Sequence, residues 1–421
     1  MPLKVLAILP GIIPSTIIDV ITPLTDLHKI GAINTRIIVE NFVKKKDIHW
    51  CDIIVLCRNI CPDTAWWFLY ALELSLPYIY DIDDNFFEIP KGNPLATYYR
   101  ESSRQAMLKE YMRLARLVRV YSFPMYIQAK KNNTNVEQIV APIDWRLIKP
   151  PRKDASNGIV RIVYATSRSE DNLSEIFKPA LKKILEKYSN QVEMHFLGYN
   201  PEEFRKFKNV YYHPLNLDYK SYLKSFSSAG YDIGLAPLLN DVFHRSKTNN
   251  KFREYGASQI AGIYSNVDIY SACVKHYESG LLIGNDTDAW FQSMETLIVN
   301  PSMRRNIQKH AFEFVKKKYS QEAFAEQWLQ QILQVLSNKR VYKRRIKKVE
   351  NLMKEHSTSN SSGILKRRLK KIENLTKEYS ASNFAGILKR IWSKITLNLN
   401  VNWLLLKIRI EIFFTKSNSK D

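Results

Sequence analysis

The chain has 421 residues, of which 45% are hydrophobic and 12% aromatic, and its formal net charge is +22. That length accommodates two to three domains of ~100–200 residues, and the apolar content excludes a disordered or fibrous chain. The excess of 63 Lys and Arg over 41 Asp and Glu points to an anionic partner: nucleic acid, a membrane surface or a phosphorylated ligand. The excess is uneven. Residues 339–421 hold 21 Lys and Arg and 6 Asp and Glu, a net of +15, which leaves +7 for the preceding 338 residues.

The N-terminus, residues 1–18, is apolar and carries Lys4, a faint likeness to a signal peptide. Pro10 and Pro14 interrupt the run and no small-residue cleavage site follows, so it reads as a first buried strand. Strands are expected over 4–9, 36–39, 52–56, 78–80, 118–121 and 138–140, and helices over 64–74 and 104–117. Most of these strands are continuously apolar, as when helices cover both faces of a parallel sheet. The four cysteines, Cys51, Cys57, Cys61 and Cys273, form no CxxC pair and have no zinc-site spacing. So few in so long a chain favour a reducing, cytoplasmic compartment. No run of ~18 apolar residues is present to span a membrane.

A break follows at 149–158, where Pro150, Pro151, charges and Gly158 mark a linker. The strand–helix rhythm then restarts, with strands expected over 160–164, 192–197, 210–212, 233–236, 263–265 and 281–283. Helices are expected over 173–188, 219–226, 251–261, 288–299, 302–315 and 321–336. The fold class is therefore α/β: two doubly wound, Rossmann-like domains, residues 1–148 and 159–336, with a basic, mainly helical extension at 337–421. Ligands in such sheets sit beyond the carboxyl ends of the strands.

The extension repeats itself. Residues 350–360 return at 373–383 and residues 363–367 at 386–390, both with an offset of 23, and 342–348 form a partial earlier copy of 365–371. Two to three copies are too few to define a solenoid.

The most specific segment runs from Tyr231 through Pro237 to Phe243, His244, Arg245, Ser246, Lys247 and on to Lys251, Glu254 and Tyr255. It reads as a strand, a polar loop and a helix start. Lys247, Lys251 and the free backbone N–H groups of the helix suit a phosphate, and the Glu254 carboxylate suits two ribose hydroxyls. The same residues also read as an ordinary helix start with favourable charge placement.

This stretch resembles the donor-binding signature of GT-B glycosyltransferases of the family 4 type, in which the second domain binds a nucleotide sugar. The signature is Glu-x7-Glu. Glu254 matches its second Glu, which in the family contacts the ribose, and Ser246 stands in place of the first. Lys247 matches a lysine that a subset of the family uses on the diphosphate, with Thr248 where that subset has Ser. Arg168, just past the first strand of the second domain, stands nearest to the family's arginine there, and Asn250 lies within the loop. Gly11, between Pro10 and Ile12, is a thin version of the family's glycine-rich first loop. The resemblance spans residues 1–335, most strongly 159–320. It implies a retaining, metal-independent transfer of a sugar from a nucleotide-sugar donor to a glycan, lipid-linked or protein acceptor, with no cofactor.

In the first domain, Asp81, Asp83 and Asp84 end an expected strand. Such carboxylates serve a general base or hydroxyl contacts, or cap a turn; Asp83 and Asp84 are the catalytic candidates. Arg58 follows a strand, where it either faces the cleft or, as the favoured reading, is exposed. No Ser/His/Asp constellation and no Walker loop is present. The tail, with Trp392, Trp403 and interleaved cations, suits either an anionic membrane surface or packing on the body or a second copy, and nucleic acid is not expected. The main expectation is thus a cytoplasmic enzyme, with peripheral attachment at the inner face of a membrane left open. The alternative is a non-catalytic scaffold of the same fold, favoured by Ser246 and by only 13 glycines.

Overall fold

The structure, a computed structural model, describes residues 2–151, 158–168 and 172–337. The repeats and basic tail, and most of the 149–158 linker, lie outside the described residues.

Residues 2–147 form a six-stranded parallel sheet in the order β2-β1-β3-β4-β5-β6. Its strands are β1 (Leu3–Leu9), β2 (Ile33–Val39), β3 (Ile53–Cys57), β4 (Tyr78–Ile82), β5 (Leu117–Val120) and β6 (Val136–Gln138). The central strands are buried along their whole length, β3 as Ile-Ile-Val-Leu-Cys and β4 as Tyr-Ile-Tyr-Asp-Ile. Helices on both faces explain why these strands are continuously apolar rather than alternating.

The second domain repeats the plan in the order β12-β11-β10-β7-β8-β9, again all parallel. Here β7 is Val160–Ala165, β8 Val192–Leu197, β9 Val210–His213, β10 Ile233–Ala236, β11 Ala261–Ser265 and β12 Leu281–Ile283. Both sheets are doubly wound. Their strand order reverses between β1 and β3 and between β7 and β10, where crevices open at the carboxyl ends.

The helix Asn250–Ala257 is seated on this sheet by a glycine. A Cβ on Gly234 of β10 would stand 2.4 Å from the Tyr255 ring, and the Tyr255 hydroxyl donates to the Leu235 carbonyl at 2.8 Å. Expected over 251–261, the helix stops at Ala257 because Gln259 adopts a left-handed φ of 57°, a common way to end a helix. Ala261 then opens β11. The helix expected over 104–117 is Ser102–Leu114, since Leu117 belongs to β5.

The last described helix, Gln321–Ser337, follows the second domain in sequence but completes the core of the first. Trp328, Ile332 and Phe324 pack with Val5, Leu9 and Leu24, and the Trp328 indole N–H donates to the Asp19 carbonyl at 2.8 Å. Residues 321–336, placed by sequence in the second domain, therefore tie the two domains together. No helix among the described residues is long and apolar enough to cross a membrane.

Candidate functional site

Three cations stand at the switch points. Arg58 follows β3, Arg168 follows β7, and Lys247 lies in the loop after β10. All three converge on one carboxylate, Asp84, which follows β4. The Arg58 guanidinium Nη2 is 2.7 Å and the Arg168 Nη2 3.1 Å from Asp84 Oδ2, while Lys247 Nζ is 3.6 Å from Oδ1. Arg58 Nε also pairs with Asp83 at 2.8 Å. Burial alone would raise the Asp84 carboxyl, but Lys247, Arg168 and Arg58 together hold it well below the usual carboxylate range.

Arg58, expected to be exposed, is 6% exposed and adopts a left-handed φ of 62°. A β-carbon residue in that region is held there by its surroundings. Here the ion pairs to Asp83 and Asp84 and the Phe86 ring, 4.7 Å from its guanidinium carbon, hold it.

The three carboxylates of the Asp81–Asp84 segment do not act as one cluster. Asp84 meets the second domain through Arg168 and Lys247, while Asp83 pairs with Arg58 of its own domain. Asp81, fully buried, accepts from the Tyr121 hydroxyl at 2.7 Å and pairs with Arg119 at 3.3 Å. Burial pushes the Asp81 carboxyl up to about 7 against the opposing pull of Arg119 and Tyr121. Asp19, absent from the sequence-based candidates, sits in a π-helical turn, Ile17–Ile21, after β1. Burial raises its carboxyl well above the usual range, and the charges of Asp81 and Asp83 raise it further. Single π-turns of this kind mark functional positions in many folds.

In the second domain Glu254 is 5% exposed. Its Oε2 accepts from Lys251 Nζ at 2.9 Å and from the Tyr222 hydroxyl at 3.2 Å. Lys251 is therefore a partner of Glu254 as well as a cation at the helix start. Asn250 turns inward, its Oδ1 accepting from Thr248 at 2.7 Å and from Arg253, so it braces the loop. Gly11 lies at the end of β1, where a Cβ would meet nothing within 4 Å.

Ser246 is fully buried at the domain junction. Its hydroxyl donates to the Val242 carbonyl at 2.6 Å and accepts from Asn85 at 3.3 Å, and its carbonyl accepts from Ser122 at 2.7 Å. Both Asn85 and Ser122 belong to the first domain. Phe243, three residues earlier, is buried within the first domain's core. The loop that carries Lys247 is thus docked across the junction. Its His244 is buried beside it, with Nδ1 2.7 Å from Asp241 Oδ2.

Among the described residues no group of three or more His, Cys, Asp or Glu is placed to hold a metal. What the site offers instead is two cations and a helix start from the second domain, facing carboxylates and one arginine from the first.

Two doubly wound parallel domains with facing switch points, tied by the last described helix, which returns to the first, define a GT-B-like fold. The chain is similar in structure to sucrose-phosphate synthase from Thermosynechococcus elongatus, with a TM-score of 0.59 at 13% identity over 79% of this chain and 99% of that one. It is similar to Anabaena HepE in complex with UDP, at 0.57 and 13% over 79% of this chain and 100% of the other. A glycosyltransferase from Rickettsia africae gives 0.55 and 13% over 80% and 99%. No protein-family profile and no curated protein matches the sequence.

Proposed function

We propose that the chain is a glycosyltransferase that moves a sugar from a nucleotide-sugar donor to a glycan, lipid-linked or protein acceptor. The observation that carries this reading is the convergence of Arg168 and Lys247 at the β7/β10 switch point, with Glu254 on the helix that follows. Cations and a helix N-terminus at such a point suit a diphosphate, and a buried carboxylate within the same helix suits the ribose. Structures of the similar HepE in complex with UDP and with UDP-glucose are consistent with this reading.

In this mechanism Arg168 and Lys247 stabilise the negative charge that builds on the leaving diphosphate, the part that a metal ion plays in other transferases. The transfer is metal-independent and retains the anomeric configuration. The first domain brings the acceptor, and closure about Pro150 and Pro151 excludes water. The repeat tail supplies a contact with an anionic membrane or a second copy. Calorimetric titration with nucleoside diphosphates tests the reading. Binding by the wild type, lost in Lys247→Ala and Glu254→Ala, is expected; no binding by the wild type overturns it.

One observation favours a second reading. Ser246 stands where the resemblance implies a sugar-contacting carboxylate, and its hydroxyl is engaged by Asn85 and Val242. A non-catalytic scaffold that keeps the fold would use the loop for that contact alone. A screen for sugar-nucleotide hydrolysis and transfer separates the two, since a scaffold shows neither.

A further inference from the structure

Asp84 makes a contact that the proposed chemistry does not need. It comes from the first domain, yet it is ion-paired with Arg168 and Lys247, the two second-domain cations placed for a diphosphate. The charges on the two sides are unequal. Arg58, Asp83 and Asp84 sum to one negative charge, and Arg168 with Lys247 to two positive ones. The second-domain pair is thus an anion site already holding an anion, one supplied by the protein. That carboxylate is itself 6% exposed, so its charge is compensated by these cations rather than by water.

We propose that Asp84 is an internal competitor for the diphosphate site: it pairs with Arg168 and Lys247 and is displaced from them when a ligand carrying more negative charge arrives. This rests on the reading of Arg168 and Lys247 as diphosphate ligands. A carboxylate carries one negative charge, whereas a diphosphate carries two or more, so the exchange favours the diphosphate and disfavours singly charged anions. Asp84 thereby sets a charge threshold for the ligand. On release it keeps one partner, because Arg58 remains 2.7 Å away on its own domain.

The geometry also accounts for the pairing of Asp83 and Asp84 on one arginine. With Asp84 alone, Arg58 and the second-domain pair would leave the junction with two excess positive charges. Asp83, 2.8 Å from Arg58 Nε, takes up one of them.

The test uses the full chain, with inorganic pyrophosphate and UDP as probes, in calorimetric titrations of wild type and Asp84→Asn at fixed ionic strength. Asn keeps the shape and removes the charge. Binding of both probes is expected to tighten by about tenfold or more in the variant, a change typical of a close charge pair. Equal or weaker binding in Asp84→Asn overturns the competitor while leaving the nucleotide site standing. Binding by neither protein overturns both. Hydrogen exchange on the wild type supplies a readout free of any folding defect in the variant. Addition of pyrophosphate is expected to speed exchange of residues 83–86, and unchanged or slower exchange there with pyrophosphate bound overturns the displacement.

Discussion

Lys247 Nζ stands 4.2 Å from the centre of the Phe243 ring, and that ring is buried in the core of the other domain. The cation proposed for the diphosphate is therefore positioned by an apolar anchor on the first domain. Phe243→Ala removes the anchor. Truncating a buried phenylalanine costs ~3–5 kcal/mol, less where the cavity can collapse at a domain junction. The expected outcome is a lower melting temperature and faster proteolysis within residues 238–249, read by limited digestion of the full chain.

Glu254 accepts hydrogen bonds from Lys251 and Tyr222 through one oxygen, Oε2, so in the proposed function a ribose hydroxyl would meet Oε1. A hydrogen bond to a charged group contributes ~1.5–3 kcal/mol, which corresponds to a ten- to hundredfold change in affinity. Wild type is expected to bind UDP more tightly than 2′-deoxy-UDP by about that factor, and Glu254→Gln to narrow the gap. Equal affinities of wild type for the two nucleotides would remove Glu254 from the ribose.

Asp81 gives the stability a defined slope with pH. Its carboxyl is pushed up to about 7 in the folded protein by burial, while the unfolded chain titrates near ~4. Between those values the folded state holds a proton that the unfolded state has lost, so stability falls as pH rises through this window. Asp81→Asn is expected to flatten that part of the profile. Thermal melts of both proteins between pH 4 and 8 check it, and an unchanged slope would assign the dependence elsewhere.

Trp328 is fully buried and its ring lies 3.4 Å from the Arg119 guanidinium carbon. Trp328→Ala both opens a cavity and removes this cover from Arg119. A loss of ~3–5 kcal/mol is expected, with the first domain losing protection from hydrogen exchange before the second. Simultaneous loss across both domains would contradict the placement of this helix in the first core.

Most of the fold was legible because its strands are continuous apolar runs separated by helical periodicity, and β8, β10 and β12 begin and end where the pattern places them. Periodicity identifies the helix at 321–336 as well, but it cannot say which sheet the apolar face meets. Trp328 and Ile332 settle that through contacts more than 300 residues away in sequence. Arg58 illustrates the same gap within the site. A single arginine after a strand carries no local sign of burial; its partners lie 25 and 26 residues later, and Arg58 itself takes a left-handed backbone. The loop-to-helix junction that carries Lys247 and Glu254 was legible because loop, helix start and charge sit in one short segment. Asp19 was not, since its setting depends on a π-turn within a stretch that otherwise reads as plain apolar sequence.

The seat of the Asn250–Ala257 helix on Gly234 has a consequence for mutational tolerance. The Tyr255 ring fills the place of the missing β-carbon, which fixes how far Lys251 and Glu254 project beyond the sheet edge. A single added methyl at position 234 would press on the Tyr255 ring and push the helix outward. In a saturation screen scored on nucleotide binding, position 234 is thus set to behave like a contact residue, intolerant of alanine, while owning no side chain with which to make a contact.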